Sequence, residues 1–526
     1  MPTYNGFHIV KVTRVSKSTH KQMAVNMASS VAVFALNLCV SFFLTPFIVS
    51  RLGTAAYGFV GLTNNIIGYT ALLTVAVNSM AGRFVTVKVH EGNIKEANVY
   101  MSSVFFANVI LSAVIMAVLT AVVIFLPELI NVPPQLLGDV RILFSLIALS
   151  TCMGLMVGII SVSTFICNRL DYSNLRTLIG TVIRVVLLLL MFGLLPPRLW
   201  YIGISVVVME IYGIVTNYWF FRNLTPELAI KRSYFDFRRL KEVTMAGAWN
   251  ILNKLSEILS RGLDLLLANL FIGATAMGQL SLSQTLPVLV IGFVATIAGN
   301  FAPEFTRLYA KGELDSLKKE ILASIRISSL VVCIPLSVVY AYSDVFYRLW
   351  LPSENAQLLY GLTLLGSFAS SVSMPQEPLW NIFTITNKVR QSSLNLLFNS
   401  ICSIAVLIGA MFIVKNPMTG LFIIAGTRTL FGLVRCLTFL PNYGAKCLGF
   451  PAMTFYPAIA RSFINILVIT ALSILFKNLF MEDSWLSLFA GGIFTAISGL
   501  FFAYFLVLKD SDREKIMTKI KDKING

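Results

Sequence analysis

Four ionisable residues stand at regular helical spacing in one apolar segment of the chain. Lys254, Glu257, Arg261 and Asp264 are separated by three, four and three positions. At about 100° per residue, they fall within roughly 80° of one another around a helix. An ionised group in hydrocarbon costs on the order of 2.5 to 3.5 kcal/mol. The spacing therefore predicts one polar stripe that faces protein or water rather than lipid.

The stripe has two interpretations. Lys254 with Glu257 and Glu257 with Arg261 could form intrahelical ion pairs, a ladder that neutralises itself. A buried ladder of this kind adds little stability, which favours instead a stripe beside a solvated pathway. In that case Lys254 and Arg261, with a few arginines, would suit a pyrophosphate, which the arginine fork grips through two parallel hydrogen bonds.

Further cations interrupt the apolar segments. Arg184 and Arg428 lie deepest, and with Arg51 beside the first hairpin they join Lys254 and Arg261 as predicted substrate-binding residues. Arg184 and Arg428 could each line the cleft or extend to the lipid headgroups, and the sequence leaves both possibilities open. Three other arginines are expected to reach the headgroup layer with their long side chains, namely Arg83, Arg435 and Arg461.

Two polar patterns predict a site for a coupling ion. Pro375-Gln376-Glu377-Pro378 places two prolines around an acid at membrane depth, which predicts a broken helix lining a cavity. Asn395 and Asn399 share a helix face, and their oxygens could hold a cation together with a carboxylate, although asparagines in membrane helices also bond neighbouring helices. The predicted ion-coupling residues are Glu257, Asp264, Glu377, Asn395 and Asn399. Apart from Na⁺ or H⁺ no cofactor is expected.

Other chemistry is not indicated. The seven cysteines include no CxxC pair and the three histidines are far apart, so neither a disulfide framework nor a metal site is expected. The net charge of +17 comes mostly from loops on one side of the membrane, so nucleic acid is not an expected partner.

The whole composition is that of a membrane protein. Of 526 residues 57% are hydrophobic and 12% charged, and the mean hydropathy is +0.80. We count fourteen apolar stretches of about 20 residues, each able to cross the hydrocarbon as a helix, so the predicted class is all-α and polytopic. With both termini in the cytoplasm, most of the 41 lysines and arginines lie inside. The predicted parts are a cytoplasmic leader (1–26), a six-helix lobe (27–221), a basic interfacial linker (222–245), a second six-helix lobe (246–440), two additional spans (455–508) and a basic cytoplasmic tail (509–526).

An internal repeat relates the two lobes. Gly53, Ala56 and Gly58 recur 220 residues later as Gly273, Ala276 and Gly278, and Gly92 recurs as Gly312. Six spans per copy bring both copies into the membrane from the same side. The repeat is therefore parallel, with a predicted pseudo-twofold axis along the membrane normal.

The segment 43–58, FLTPFIVSRLGTAAYG, with Arg83-Phe84 and Glu91-Gly92-Asn93, resembles the polysaccharide-export branch of the multidrug/oligosaccharidyl-lipid/polysaccharide exporter superfamily. The resemblance implies an inner-membrane flippase for undecaprenyl-pyrophosphate-linked oligosaccharide, the precursor of O-antigen, capsule or exopolysaccharide, working by alternating access of two lobes. The partners it implies are that lipid-linked substrate, membrane lipids, and the polysaccharide polymerase and other assembly proteins.

Two transporter alternatives stay open. A multidrug and toxin extrusion antiporter shares the fold expected here, but typically needs acidic groups for its cations, and the first span has none. A lipid II flippase is a closer relative. A membrane-embedded polymerase would need a large extracytoplasmic loop with catalytic residues, and the predicted loops are short, so no enzyme activity and no catalytic residue is predicted.

The stripe leads to a direct prediction. If it lines the substrate path, Arg261→Ala removes a cation from that path, and cells carrying the variant should lose polymer from their surface while the protein stays in the membrane. Surface polymer is measured by antibody or lectin binding and the protein by immunoblotting of membranes. Normal surface polymer would remove the stripe from the mechanism.

Overall fold

A computed structural model of the chain describes residues 19–298, 301–414 and 416–507, which form helices joined by short turns with no β-strand among them. The predicted all-α class is confirmed. The predicted tail and most of the predicted leader lie outside the described residues. The α-helices are Thr19–Leu52 (α1), Thr54–His90 (α2), Ile94–Ile124 (α3), Leu126–Leu129 (α4), Leu137–Val157 (α5), Val162–Ile166 (α6), Leu170–Leu194 (α7), Tyr201–Leu224 (α8), Phe237–Glu257 (α9), Asp264–Phe271 (α10), Ala274–Ala298 (α11), Ala302–Ala310 (α12), Leu314–Trp350 (α13), Ala356–Ser367 (α14), Ser370–Ser373 (α15), Trp380–Ile385 (α16), Val389–Ile413 (α17), Pro417–Thr438 (α18), Leu440–Cys447 (α19), Tyr456–Phe480 (α20) and Trp485–Leu506 (α21).

Thirteen helical segments of the described chain are long and apolar enough to cross a membrane. The remaining predicted span, 246–270, carries the charged stripe and is divided. It runs as α9, a π-helical turn at Ile258–Gly262 and α10. The prediction of one continuous helix here was wrong, because a π turn accommodates an extra residue and rotates the helix that comes after it. Such turns occur often at functional sites.

Two other spans are interrupted by 3₁₀ turns. The break predicted around Pro375 and Pro378 is present as a 3₁₀ turn at Met374–Leu379, since neither proline can donate a helical hydrogen bond. A second 3₁₀ turn, Gly158–Ser161, separates α5 from α6 and was not predicted. Helical breaks thus fall in the fourth span and in its repeat counterpart, the tenth.

The repeat extends to the corners between helices. Gly53 and Gly273 both have positive φ, +85° and +134°, and Gly92 and Gly312 match at +75° and +73°. These values place all four in the left-handed region that ends helices and that glycine adopts without steric cost.

An asparagine pair adds a correspondence that the sequence search did not find. Asn168 and Asn387 are 219 positions apart and have φ of +52° and +53°. In each case the following residue donates its N–H to a carbonyl five positions back, from Arg169 to Thr164 and from Lys388 to Phe383. The two copies therefore share corner geometry as well as residue type.

By their internal contacts the residues divide into two units, Met1–Phe47 with Ile66–Ile251, and Ile48–Asn65 with Leu252–Gly526. The helices α1, α2 and α9 contribute residues to both. The predicted domain boundaries stay predictions.

In the first unit, the predicted linker is fastened to α3. Phe106 on α3 meets Phe235 of the linker edge to face. Three α3 side chains satisfy linker amides, as Asn98 Oδ1 accepts from Ala229 at 2.8 Å, Ser102 Oγ from Lys231 at 3.2 Å and Ser103 Oγ from Asp236 at 2.9 Å. Buried side-chain acceptors hold irregular backbone that would otherwise be unsatisfied.

In the second unit, α13 is the central helix. It packs on α14, α20, α21 and the turn at Met374–Leu379. Lys477 of α20 pairs with Asp344 of α13 at 3.1 Å, and Arg348 of α13 forks onto Asp483 at 2.8 and 2.9 Å. The two additional C-terminal spans are thus packed into this unit, although they lie outside the sequence repeat.

Also in the second unit, equivalent positions of the two repeat copies touch. A Cβ at Gly58 would lie 2.8 Å from the Gly278 nitrogen, and one at Gly278 would collide with the carbonyl oxygen of Thr54. A twofold relation between two copies brings corresponding residues together. The contact of α2 with α11 is therefore direct structural support for the repeat, and it requires residues without a side chain.

This contact predicts the effect of adding one methyl group. Gly278→Ala forces backbone to move, and overpacking of this kind costs about 1–3 kcal/mol, so the melting temperature of the purified protein in detergent should fall. Gly68→Ala is the control, because nothing lies within 4 Å of its added Cβ, and alanine there should be neutral or stabilising. Equal melting temperatures for the two variants would contradict the close contact.

Candidate functional site: two cavities that share an arginine

The larger of two cavities that share lining residues in the second unit has a volume of about 520 Å³. Its walls come from the C-terminal end of α9, the π turn, the broken tenth span, α17 and α18. The breaks matter here, because irregular backbone is tolerated at membrane depth where it lines a cavity. The polar lining residues are Glu257, Ser260, Ser370, Ser373, Glu377, Asn399, Ser400, Ser403, Arg428, Thr429 and Arg435.

Four predicted site residues meet in this cavity. Glu257, Glu377, Asn399 and Arg428 come from four different helical segments, and all line the same space. Two of them carry negative charge, one carries positive charge and one is an amide. This environment can receive either a cation on its carboxylates or an anion on its arginine side.

A smaller cavity of about 250 Å³ lies next to it and contains Asp264. Gly366, Ser370 and Arg428 line both cavities. Arg428 Nη1 donates to Asp264 Oδ2 at 3.0 Å, and Asp264 is only 7% exposed. The pair thus lies where the cavities meet, and its charge-assisted hydrogen bond compensates part of the cost of burying Asp264.

Local structure places the Asp264 carboxyl at the start of a helix. Asp264 is the first residue of α10, directly after the π turn. A helix begins with unpaired backbone N–H groups and a partial positive charge, which stabilise a carboxylate. Arg428 reaches it from α18, a helix that is itself held to α14 by the hydrogen bond from Thr429 Oγ1 to the carbonyl of Leu365.

The four-residue stripe therefore does not act as one face. Lys254 Nζ pairs with Glu257 at 3.0 Å, and the Glu257 side chain is 60% exposed. Beyond the π turn, Asp264 is buried and pairs with α18 instead. The ladder interpretation is confirmed for Lys254 and Glu257, and the rung predicted between Glu257 and Arg261 stays a prediction. Arg261 lies in the π turn, and its side chain is outside the described residues.

Arg435 was wrongly expected to extend to the headgroups. It lines the larger cavity, and its guanidinium carbon lies 4.5 Å from the centre of the Trp380 ring, a cation–π contact. The sequence did hold a signal, since Arg428 and Arg435 are seven positions apart and so share a face of α18. Trp380, which follows the Pro375–Pro378 motif, was missed altogether.

The two asparagines of α17 have different surroundings. Asn399 Nδ2 donates to the carbonyl of Phe431 at 3.2 Å and lines the larger cavity. Asn395 lines neither cavity, and its buried Oδ1 accepts no hydrogen bond from any described residue. Helix-to-helix bonding is thus observed for Asn399, while the buried oxygen of Asn395 has no donor among the described residues.

Two predicted cations lie elsewhere. Arg184 is on α7 in the first unit, where its buried Nε has no hydrogen-bond partner among the described residues. Arg51 is exposed in the last turn of α1 and is not a lining residue of either cavity. Neither is brought together with Arg428, so their predicted roles stay predictions.

The first unit has a cavity of its own, of about 600 Å³, lined by Arg83, Lys88, Glu96, Tyr100, Arg239, Glu242 and neighbouring apolar residues. Here Arg239 pairs with Glu96 at 2.6 Å and with Glu242 at 3.0 Å. The hydrogen bond from Tyr100, aided by Arg239, lowers the pKa of the Glu242 carboxyl. These contacts join the linker to α3, so the role that the structure shows for this cluster is to hold the linker in place.

Across the described residues, no three His, Cys, Asp or Glu side chains gather closely enough to hold a metal ion.

The family model described as "Polysaccharide biosynthesis protein" matches residues 48–354. Among curated proteins, the chain is similar to "Uncharacterized membrane protein EpsK" of Bacillus subtilis (strain 168), with 27% identity over 506 residues, covering 95% of this chain and 98% of that protein.

Among solved structures, the fold is similar to "Lipid II flippase MurJ, inward closed conformation", with a TM-score of 0.63, 12% identity, and coverage of 91% of this chain and 98% of that one. It is equally similar to an inward-facing "multidrug resistance MATE family transporter of the MOP superfamily", with a TM-score of 0.63, 14% identity, and coverage of 81% and 97%. At these identities the likenesses show the fold.

The contrast between the asparagines can be tested by replacing each with leucine. Asn395→Leu removes a buried oxygen without a described partner, so stability should stay equal or rise. Asn399→Leu loses a hydrogen bond worth about 0.5–1.5 kcal/mol, and its melting temperature in detergent should fall. A larger loss for Asn395→Leu than for Asn399→Leu would show that Asn395 has a structural partner.

Proposed function

The chain belongs to the polysaccharide biosynthesis protein family, in the export branch of the multidrug/oligosaccharidyl-lipid/polysaccharide exporter superfamily, and we propose that it flips a lipid-linked oligosaccharide across the cytoplasmic membrane. It is a multi-pass membrane protein of the flippase and exporter kind. The substrate proposed is an oligosaccharide on a polyprenyl diphosphate, used for cell-surface polysaccharide, and the mechanism proposed is alternating access of two lobes.

The observation that carries the proposal is the family match over residues 48–354, because the fold alone is shared by transporters of unlike cargo. The larger cavity adds chemical support. Two arginines on one face of α18 supply planar donor groups that suit phosphate oxygens, and the surrounding serines, Thr429 and Asn399 suit the hydroxyl groups of a sugar.

A multidrug antiporter and a lipid II flippase remain the alternatives. The multidrug alternative requires carboxylates for an organic cation. Asp264 is paired with Arg428 and Glu257 with Lys254, which reduces the negative charge available to such a cargo. A lipid II flippase would also carry a diphosphate, so it differs from our proposal in the glycan and not in the site chemistry.

We assign the coupling role to the carboxylates of the larger cavity. Glu257 and Glu377 line it with Asn399, and Na⁺ or H⁺ would occupy them during transport. Asp264 and Asn395 stay candidates for the same role. Lys254, Arg261, Arg184 and Arg51 stay candidates for contact with the substrate along its path. The proposed setting is the inner membrane with both termini in the cytoplasm, where polymerase and assembly proteins act on the exported unit.

The test compares cells with and without the gene. Deletion should remove surface polysaccharide and leave its lipid-linked precursor on the cytoplasmic leaflet, and the wild-type gene should restore export. Arg428→Gln should fail to restore it. The matched control is Arg461→Gln, which changes an exposed arginine of α20 and should restore export fully.

Reconstituted protein separates the alternatives. In liposomes it should move a fluorescent lipid diphosphate oligosaccharide between leaflets and should not export an organic cation dye. Dye export without lipid movement would overturn the flippase proposal, and restricted movement of lipid II alone would reassign the glycan.

A further inference from the structure

Arg428 has two possible sets of neighbours. Its side chain lines both of the cavities that meet at this residue and is 24% exposed, while its carboxylate partner Asp264 lines only the smaller one. On the other side, in the larger cavity, lies Arg435. A long side chain at such a junction can turn from one cavity to the other by rotation about its own bonds.

Among the described residues, the charged groups that line the two cavities, taken together with Lys254 as the partner of Glu257, are balanced. The larger cavity has two carboxylates, Glu257 and Glu377, and two guanidinium groups. Lys254 is paired with Glu257, and Asp264 is paired with Arg428. Counting all six groups gives three positive and three negative charges. An anion that enters the larger cavity therefore gains most if Arg428 leaves Asp264 for it.

We propose that Arg428 is an exchangeable arginine, held by Asp264 when no substrate is present and transferred to the substrate's diphosphate when it enters the larger cavity. The proposal rests on the proposed function for the presence of a diphosphate. It goes beyond that function by assigning Asp264 as an internal competitor of the substrate, rather than as a ligand for the coupling ion.

The geometry of α18 fits a diphosphate. Seven positions separate Arg428 from Arg435, which places them about 20° apart around the helix and roughly 10.5 Å apart along it. Long guanidinium side chains converge over such a distance onto one group with two phosphates. Between them, Thr429 and Gly432 also line the cavity.

Two roles of Asp264, competing with the anion for Arg428 or positioning Arg428 for the anion, predict opposite changes in anion affinity when the Asp264 charge is removed. If Asp264 only positioned Arg428 for the anion, removing its charge would weaken anion binding. If Asp264 competes, removing its charge frees Arg428 and strengthens binding. The release of one charge-assisted hydrogen bond, about 1.5–3 kcal/mol, corresponds to on the order of tenfold or more in affinity.

The experiment measures binding of farnesyl diphosphate and of inorganic pyrophosphate to the purified full-length protein in detergent, with farnesol as the uncharged comparison. We expect Asp264→Asn to bind both diphosphates about tenfold more tightly than wild type, and Arg428→Gln to bind them more weakly. The double variant Asp264→Asn/Arg428→Gln should match Arg428→Gln, since the gain requires the freed arginine. Farnesol binding should not change.

Asp483→Asn is the matched control, because it also removes a carboxylate from an arginine pair of the same unit, outside both cavities, and its affinity should equal that of wild type. Weaker or unchanged diphosphate binding by folded Asp264→Asn would overturn the exchange. If that variant is not monodisperse, Arg428→Lys replaces it. Lysine cannot fork onto the diphosphate, so unchanged affinity in Arg428→Lys would equally overturn the proposal.

Failure of the exchange and failure of the proposed function give different results. Diphosphate binding that ignores Asp264 and Arg428, in a protein whose deletion still abolishes surface polysaccharide, would leave the function and remove the exchange. The expected order of affinities, in a protein whose deletion leaves surface polysaccharide intact, would keep the exchange and remove the function.

Discussion

A buried charge in a membrane protein is costly unless an opposite charge, hydrogen-bonding groups or water in a cavity compensate it. Asp264 and Arg428 compensate each other. Arg428 Nη1 lies 3.0 Å from Asp264 Oδ2, although the two residues are 164 positions apart in the sequence and belong to different helices. Ion pairs of this kind contribute little net stability compared with apolar packing. Their presence therefore indicates a task other than holding helices together. The two cavities that meet at the pair supply the space in which such a task can be performed.

The same constraint governs the backbone. In hydrocarbon each N–H and C=O must find a partner within the protein, so helices are the default and every departure needs a local solution. Among the described residues of the second unit, such departures include the π turn at Ile258–Gly262 and the 3₁₀ turn at Met374–Leu379. Both border the larger cavity through Ser260 and Glu377. Where the linker leaves regular structure in the first unit, α3 side chains take the role of partner, as Ser103 does for the amide of Asp236.

Much of this architecture could be predicted from the sequence, and the exceptions have physical causes. Long apolar runs predict membrane helices, and prolines predict the break at residues 375–378, since both signals are local. The break at Gly158–Ser161 contains no proline and left no comparable trace. The π turn was missed because its residues fit an α-helical period equally well. Each of Asp264 and Arg428 was identified as a site residue, but their pairing depends on how α10 and α18 pack, which one sequence does not specify. Arg435 was misplaced because its side chain is long enough for either the headgroups or a cavity.

The repeat shows how specialised the Asp264–Arg428 pair is. At the offset of 220 found around the first hairpin, Asp264 corresponds to Leu44, and at the offset of 219 found for Asn168 and Asn387, Arg428 corresponds to Met209, so the first copy has apolar residues at both positions. A copy that kept only one of the two charged residues would bury an unpaired charge at a cost of several kcal/mol. Accordingly, the second copy has both charged residues and the first copy has neither. Corner residues such as Gly92 and Gly312, by contrast, are the same in both copies. The corner geometry is thus present in both copies, while the Asp264–Arg428 pair has no charged counterpart in the first copy, so the two copies share their backbone turns and differ in the chemistry of this site.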